Sequence, residues 1–262
     1  MNAPLSPVDR AKYAAARRAV DFVEHGMKLG LGTGSTAAWM VKCLGERVRG
    51  EGLEVLGVAT SERTAELARD EGIPVVTLDE ARWLDLTIDG ADEFDPELNL
   101  IKGGGGALLR EKIVATASDR MIVITDAAKE VAQLGAFPLP VEVIPFGWTA
   151  TQALIEEMLE GLDVLGRKIT PRMAGERFFV TDQGNMILDL HLARIGNPRQ
   201  LALVLNQVPG VVENGLFIDI CDVVIIGHGD GRVDLRDITA GIRTEEKVDL
   251  LEETNLFADL GD

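Results

Sequence analysis

Cysteine is almost absent: Cys43 and Cys221 are the only two among 262 residues. Two thiols so far apart cannot build the disulfide framework of a small secreted scaffold, so both are read as reduced core or near-core groups. Basic charge is also scarce. Lysine and arginine total 26 against 43 acidic residues, a formal net charge of −17, which argues against nucleic acid or an anionic membrane surface as a partner. An anionic small ligand would then need a local positive site. No stretch approaches the ~20 apolar residues of a membrane span, and the N-terminus, MNAPLSPVDRAKYAAARRAV, lacks the continuous apolar core of a secretory signal. A cytoplasmic protein is expected. No His/Cys cluster has metal-ligand spacing, so no metal is expected, and no repeat or low-complexity block is present.

What is there is a regular β/α alternation. After a proline-bearing lead, Asp9 is expected to cap a helix reaching about residue 24, closed by His25-Gly26. Residues 27–31 read as a strand running into Gly30-Leu31-Gly32-Thr33-Gly34-Ser35-Thr36-Ala37, followed by a helix to about residue 48. A strand, a Gly/Ser/Thr loop and a helix form a phosphate cradle, because backbone N–H groups converge there and hydroxyls add donors. The loop lacks the lysine of a Walker A sequence, and Ser35 stands where a dinucleotide fingerprint has its third glycine. The next strand, about 53–59, ends in Thr60-Ser61 instead of the acid that holds a ribose. A mononucleotide or sugar phosphate is favoured over NAD, with purely structural use of the glycines left open.

The most informative stretch is LDLTIDGADEFDPELNLIKGGGGALLREKIVATAS, residues 84–118. Residues 84–88 form a short apolar strand whose carboxyl end carries Asp89-Gly90-Ala91-Asp92. Lys102 precedes Gly103, Gly104, Gly105 and Gly106, and a helix over 107–117 carries Glu111 near its start. Ligands of open α/β sheets bind outside the carboxyl ends of the strands, and helix N-termini attract anions. Taken singly, the Asp-Gly turn has a local explanation and Glu111 is an ordinary dipole-complementing residue. Four glycines are harder to explain locally, since each costs roughly 0.5–1 kcal/mol of chain entropy on ordering.

Strands are also expected at 73–77 and 121–125, after a helix at 62–71, with Lys129 following the second strand at the same sheet edge. From residue 137 the order becomes β-α-β-β-α-β: strands at 141–145, 177–181, 186–191 and 211–218, helices at 149–161 and 198–207. That order is the split βαβ of ferredoxin-like domains. Lys168, Arg172 and Arg177 are read as solvated, and His191 and His228 as structural. Residues 223–226 return to the first sheet. Beyond Asp234 the apolar residues Val248, Leu250, Leu251, Leu256 and Phe257 keep no clear period, leaving a docking helix and a loose tail both open. The fold class is thus α/β, a Rossmann-like open, mostly parallel sheet (1–136 and 219–262) with an inserted ferredoxin-like α+β domain (137–218).

Laid side by side, Gly32-Thr33-Gly34-Ser35-Thr36, Asp89-Gly90-Ala91-Asp92-Glu93, Lys102-Gly103-Gly104-Gly105 and Glu111-Lys112 closely resemble the type A ribose-5-phosphate isomerase family. The resemblance covers about residues 8–230, including FPLPVEVI at 137–144 and TDQGN at 181–185. It implies interconversion of ribose 5-phosphate and ribulose 5-phosphate in the pentose phosphate pathway, without metal or organic cofactor, by a homodimer or homotetramer. It makes Glu111 the base that moves a proton between C2 and C1, with Asp89 assisting ring opening and Asp92 and Lys102 organising substrate oxygens. Thr33, Gly34, Ser35, Thr36, Gly90, Ala91 and Gly103–Gly105 would line the substrate. Lys129 would serve the phosphate, with Lys12 a weaker candidate. The four-glycine run and the continuation past residue 230 depart from shorter family members. Residue chemistry points the same way, since a carboxylate can remove and return a proton beside a carbonyl while a lysine and fixed N–H groups hold the enediolate charge. The rivals are a sugar-phosphate-sensing module, a CoA transferase or amino-sugar-phosphate isomerase, and a nicotinamide-dependent oxidoreductase.

Overall fold

The structure is a computed structural model and describes residues 5–250. Helix α1 (Pro7–Val20) starts one turn of side chain earlier than its sequence suggested. Ser6 is the cap, accepting from the Asp9 N–H, and Pro7 occupies the first helical position, where its fixed φ and missing N–H cost nothing. The regular helix also ends sooner, at Val20: the N–H groups of Asp21, Phe22 and Val23 bond three residues back in a tighter turn, and Arg47 donates to the carbonyls of Val20 and Val23.

Then follow β1 (Lys28–Leu31), α2 (Ser35–Glu51), β2 (Leu56–Ala59), α3 (Glu62–Asp70), a single-turn α4 (Leu78–Ala81) and β3 (Leu86–Gly90). The strand expected at 73–77 is reduced to one bridge, Val75 to Gly57. Pro74 has no N–H to give a ladder, and the chain instead enters α4 through a capping box between Thr77 and Glu80. The short pair β4 (Glu93–Phe94) and β5 (Leu100–Ile101) leads to α5 (Leu108–Thr116), β6 (Met121–Asp126) and a 3-10 turn, Ala127–Lys129.

Next come β7 (Leu139–Val143), α6 (Trp148–Leu159), β8 (Lys168–Pro171), the pair β9 (Met173–Ala174) and β10 (Arg177–Phe178), β11 (Met186–His191), α7 (Pro198–Leu205), β12 (Val211–Asn214) and β13 (Leu216–Phe217). The antiparallel order β12-β7-β11-β8 is that of a ferredoxin-like sheet. Its second strand is β8, not the 177–181 segment expected. That segment supplies β10, which folds back on β9 as a separate hairpin. The 211–218 segment is likewise two strands, since β13 leaves the sheet to pair with β5.

The chain closes with β14 (Val223–Gly227), β15 (Arg232–Asp237) and β16 (Ile242–Lys247). The large sheet runs β16-β15-β14-β6-β3-β1-β2, parallel from β14 to β2 and antiparallel at the β15–β16 edge. Part of the segment past Asp234 is therefore sheet; Leu251, Leu256 and Phe257 lie outside the described residues. Both faces of the parallel strands are buried. Ile122 and Ile124 face the layer of α1 and α2, while Met121 and Val123 face the cluster around Phe94 and Phe217. Each fully buried side chain of this size contributes about 1.5–3 kcal/mol. The smaller sheet has its own core, Leu139, Val141 and Val143 packing with Ile155, Leu188, Leu190, Leu201 and Leu205. Among the described residues no helix is long and apolar enough to cross a membrane.

Candidate active site

Register brings β1 and β3 together at their carboxyl ends. Leu31 lies beside Ile88, so the loop after β1 passes directly over Asp89. Gly32 donates to the Ile88 carbonyl at 3.0 Å, and a Cβ at Gly32 would sit 2.1 Å from Asp89 Oδ1. Only glycine fits. That oxygen accepts the Thr33 N–H at 3.1 Å and the Gly90 N–H at 2.7 Å. The Thr33 hydroxyl turns the other way, to Thr60, Ser61 and Thr64 at 2.7, 2.9 and 3.2 Å. Gly34, with φ +111°, opens α2, and it and Ser35 are exposed while Thr36 is half-buried.

Lys102 enters from the far side. Its backbone N–H is tied to Gly215, and its ammonium is buried beside the Phe217 ring. There it donates to the Gly90 carbonyl at 2.6 Å and lies 3.0 Å from Asp89 Oδ2 and 3.4 Å from Glu111 Oε2. Both carboxylate oxygens are within ion-pair distance but lack a properly directed hydrogen bond among the described residues, so charge more than hydrogen bonding holds this triangle. Asp92 joins through the glycine run: its Oδ2 accepts the Gly104 N–H at 2.7 Å. Ala91 and Asp92 are half-buried on the rim. The glycines have distinct reasons. Gly103 and Gly106 have φ of +106° and +81°, and a Cβ on Gly104 would press on Asp92 at 2.5 Å, whereas Gly105 has ordinary room.

Burial, and then the Asp89 charge, pushes the Glu111 carboxyl up from 4.5 to about 8, with Lys102 pulling the other way. Burial also raises Asp89, against the ammonium and its N–H donors. For Lys102 burial favours the neutral amine, but Asp89, Glu111 and Asp92 more than reverse that and hold it above its ordinary value. A persistent cation therefore faces two carboxylates, of which Glu111 gives up its charge near neutrality. Lys112 turns away from the site, donating to Glu213 and the Asn214 carbonyl at 2.9 and 2.6 Å and fastening α5 to β12.

Lys129 ends the 3-10 turn after β6, half-buried at the same edge of the sheet. Lys12 sits in the second turn of α1, 3.8 Å from Asp9. Among the described residues neither is bonded to the Asp89–Lys102–Glu111 cluster. A cavity of about 530 Å³ opens between α3, α4 and α5, lined by Ser61, Glu62, Thr77, Arg110 and Val114. None of the cluster's three charged residues lines it. The sequence reading missed Arg172. Far from solvated, its side chain is 14% exposed and reaches Gly103 and Gly104; its partner Asp189 is 17 residues away on another strand, so no local pattern announces it. Lys168 and Arg177 are exposed as expected.

The family model for ribose 5-phosphate isomerase A (phosphoriboisomerase A) matches residues 56–231, more than half of the chain. The chain belongs to this family. A ribose-5-phosphate isomerase A from Cereibacter sphaeroides is 73% identical over the whole of both chains. Among solved members of the family, the Plasmodium falciparum ribose 5-phosphate isomerase superposes with a TM-score of 0.82 at 35% identity, covering 87% of this chain and 98% of that one. A D-ribose-5-phosphate isomerase in complex with phospho-erythronic acid reaches 0.81 at 41% identity, covering 90% and 100%.

Proposed function

We infer that this chain interconverts D-ribose 5-phosphate and D-ribulose 5-phosphate through an enediolate. Family membership over the full chain carries the reaction, and the buried Glu111–Lys102–Asp89 triangle supports the assignment of roles. Glu111 takes the proton from C2 of the open-chain aldose and returns it to C1. A carboxyl held near 8 is matched to that task, because a group that both accepts and gives a proton works best with its pKa near the working pH. Lys102 and the N–H groups of Gly103 and Gly105, that of Gly104 holding Asp92, stabilise the negative oxygens of the enediolate in a site with little water. Asp89 assists opening of the furanose ring, and Asp92 aligns substrate hydroxyls. The Thr33–Thr36 backbone and Lys129 take the phosphate, with Lys12 a secondary contact.

The same reading has residues 137–218 as a domain inserted between 1–136 and 219–262, supported by the separate core of the smaller sheet. The working form is a homodimer or homotetramer in the cytoplasm, acting in the non-oxidative pentose phosphate pathway. The deciding experiment incubates the purified protein with ribose 5-phosphate in the presence of EDTA and measures ketose formation. Turnover of NAD-linked or acyl-CoA substrates in place of ribose 5-phosphate would overturn the assignment.

A further inference from the structure

One side chain of the smaller sheet reaches the glycine run. Arg172 directly follows β8; its N–H donates to the Ile187 carbonyl at 2.8 Å and its carbonyl accepts from Phe179 at 2.9 Å, so its backbone is held on both sides. Its guanidinium forms a fork with Asp189, Nε to Oδ2 at 3.0 Å and Nη2 to Oδ1 at 2.5 Å. The remaining nitrogen, Nη1, donates to the carbonyls of Gly103 at 2.7 Å and Gly104 at 3.1 Å. Both charged side chains are mostly buried, at 14% and 17% exposure. The fork uses the planar geometry of the guanidinium completely, two nitrogens on the carboxylate and the third on the loop.

That third contact has a directional consequence. All peptide bonds here are trans among the described residues, and in a trans peptide the C=O and the following N–H point in opposite directions. By drawing the Gly103 and Gly104 carbonyls to its own side, Arg172 turns the N–H groups of Gly104 and Gly105 away from the smaller sheet. The first of these ends on Asp92 Oδ2 at 2.7 Å. The second is turned to the same side. Glycine has the least restricted backbone of any residue; the run closes one turn of its own, the Gly106 N–H donating to the Gly103 carbonyl at 2.9 Å, and Arg172 adds the hold that also fixes the Gly104 carbonyl. Farther along, the Phe179 ring closes on Gly106, where a Cβ would lie 2.4 Å from Cζ.

We propose that Arg172, oriented by Asp189, is a positioning residue for the isomerisation: it fixes the Gly103–Gly104 and Gly104–Gly105 peptide planes so that the Gly104 N–H holds Asp92 in place and the Gly105 N–H already faces the charge that develops on the substrate oxygens. The proposal rests on the isomerase reading above. Donors fixed in advance stabilise developing charge without reorganising during the reaction, and deleting one from an oxyanion site costs roughly 10²–10³ in rate. Arg172 acts one bond network away, so its loss should cost less.

The test compares wild type, Arg172→Lys and Asp189→Asn in kcat and KM for ribose 5-phosphate, inhibition by phospho-erythronate and by inorganic phosphate, and melting temperature. Lysine keeps the charge but offers a compact ammonium that cannot hold a carboxylate fork and two carbonyls together. In Arg172→Lys, kcat should fall roughly ten- to a hundredfold while KM stays within about threefold, the pattern of an interaction made in the transition state. Phospho-erythronate carries a carboxylate where the enediolate carries charge, so its inhibition should weaken by about the factor lost in kcat/KM; inhibition by phosphate should not change. Asp189→Asn should give a smaller loss of the same kind, and the double variant no more than Arg172→Lys alone. Unchanged kcat in folded Arg172→Lys, equal weakening of both inhibitors, or a loss explained wholly by unfolded protein overturns the positioning role. A wild type inactive on ribose 5-phosphate overturns the isomerase reading itself, whereas an active wild type with a fully active variant removes only Arg172.

Discussion

The Glu111 carboxylate and the Lys102 ammonium face each other at 3.4 Å inside the protein, with 5% and 2% of their side chains exposed. Asp89 stands on the other side of the same ammonium at 3.0 Å. Burial does most to lift Glu111 into the range where it can exchange protons at physiological pH, and the Asp89 charge, which the single ammonium does not fully offset, adds to it.

The pH profile follows. Glu111 must be ionised to accept the C2 proton, so kcat/KM should rise with pH up to about 8 and level off above it. A profile flat between pH 6 and 9, followed with ribose 5-phosphate at constant ionic strength, would count against Glu111 as the base. Stability should move oppositely. The folded pKa lies above the ordinary 4.5, so the stability linked to this proton is fully present below 4.5 and is lost as pH climbs through 8. Glu111→Gln cannot ionise, and its melting temperature relative to wild type should therefore increase between pH 5 and 9.

Glu111→Gln should keep the fold and bind substrate, yet turn over roughly 10²–10⁴ times more slowly, the usual weight of a positioned general base. Solvent deuterium entering the product reports the same step separately. Near-normal exchange together with near-normal turnover would take Glu111 out of its role.

Two glycines should separate by stability. At Gly32 a methyl group meets Asp89 Oδ1 at 2.1 Å and its Cα at 2.6 Å, whereas at Gly105 the nearest atom is 3.6 Å away. Gly32→Ala should be destabilised by about 1–3 kcal/mol, as overpacked sites are, and should lose activity as Asp89 is displaced. Gly105→Ala should melt within a degree or two of wild type, on the order expected for a substitution without a clash. Similar denaturant midpoints for both variants would contradict this reading of the Gly32–Asp89 contact.

Lys129→Ala probes the phosphate end. A charge-assisted hydrogen bond to phosphate contributes about 1.5–3 kcal/mol, so kcat/KM for ribose 5-phosphate should drop roughly ten- to a hundredfold. Part of that loss can fall in kcat, because a remote phosphate helps orient the reacting carbons. Unphosphorylated ribose cannot use the contact and should lose little. An equal loss for both sugars would place Lys129 with the fold or the reacting end instead.

Much of the site was legible because its pieces are local. Asp89-Gly90-Ala91-Asp92 terminates an apolar strand, Lys102 precedes a costly glycine run, and Glu111 lies in the first turn of the helix that follows; each announces itself within a few residues. The buried strand at 121–125 and the β-α-β-β-α-β order after residue 137 were legible for the same reason, through hydrophobic runs and turn residues. Where local signals competed, the boundaries moved. Ser6 outdid Asp9 as a cap, Pro74 reduced a strand to a bridge, and residues 177–178 paired with 173–174 while 168–171 filled the sheet.

The β/α alternation of the first half, the β-α-β-β-α-β order after residue 137, the glycine positions and the identities of the charged groups were determined by the sequence alone, because propensity, turn chemistry and hydrophobic period act over short spans of chain. Which charges meet was decided only by the tertiary structure. The register of β1 against β3 sets Gly32 over Asp89, the path from β5 into the glycine run buries Lys102 between Asp89 and Glu111, and the pairing of β8 with β11 allows Arg172 to join Asp189 and the glycine carbonyls. The raised proton affinity of Glu111 belongs to the same category, since it comes from burial and from the Asp89 charge 22 positions away in sequence, against the pull of Lys102 nine positions away, and only folding brings these groups together.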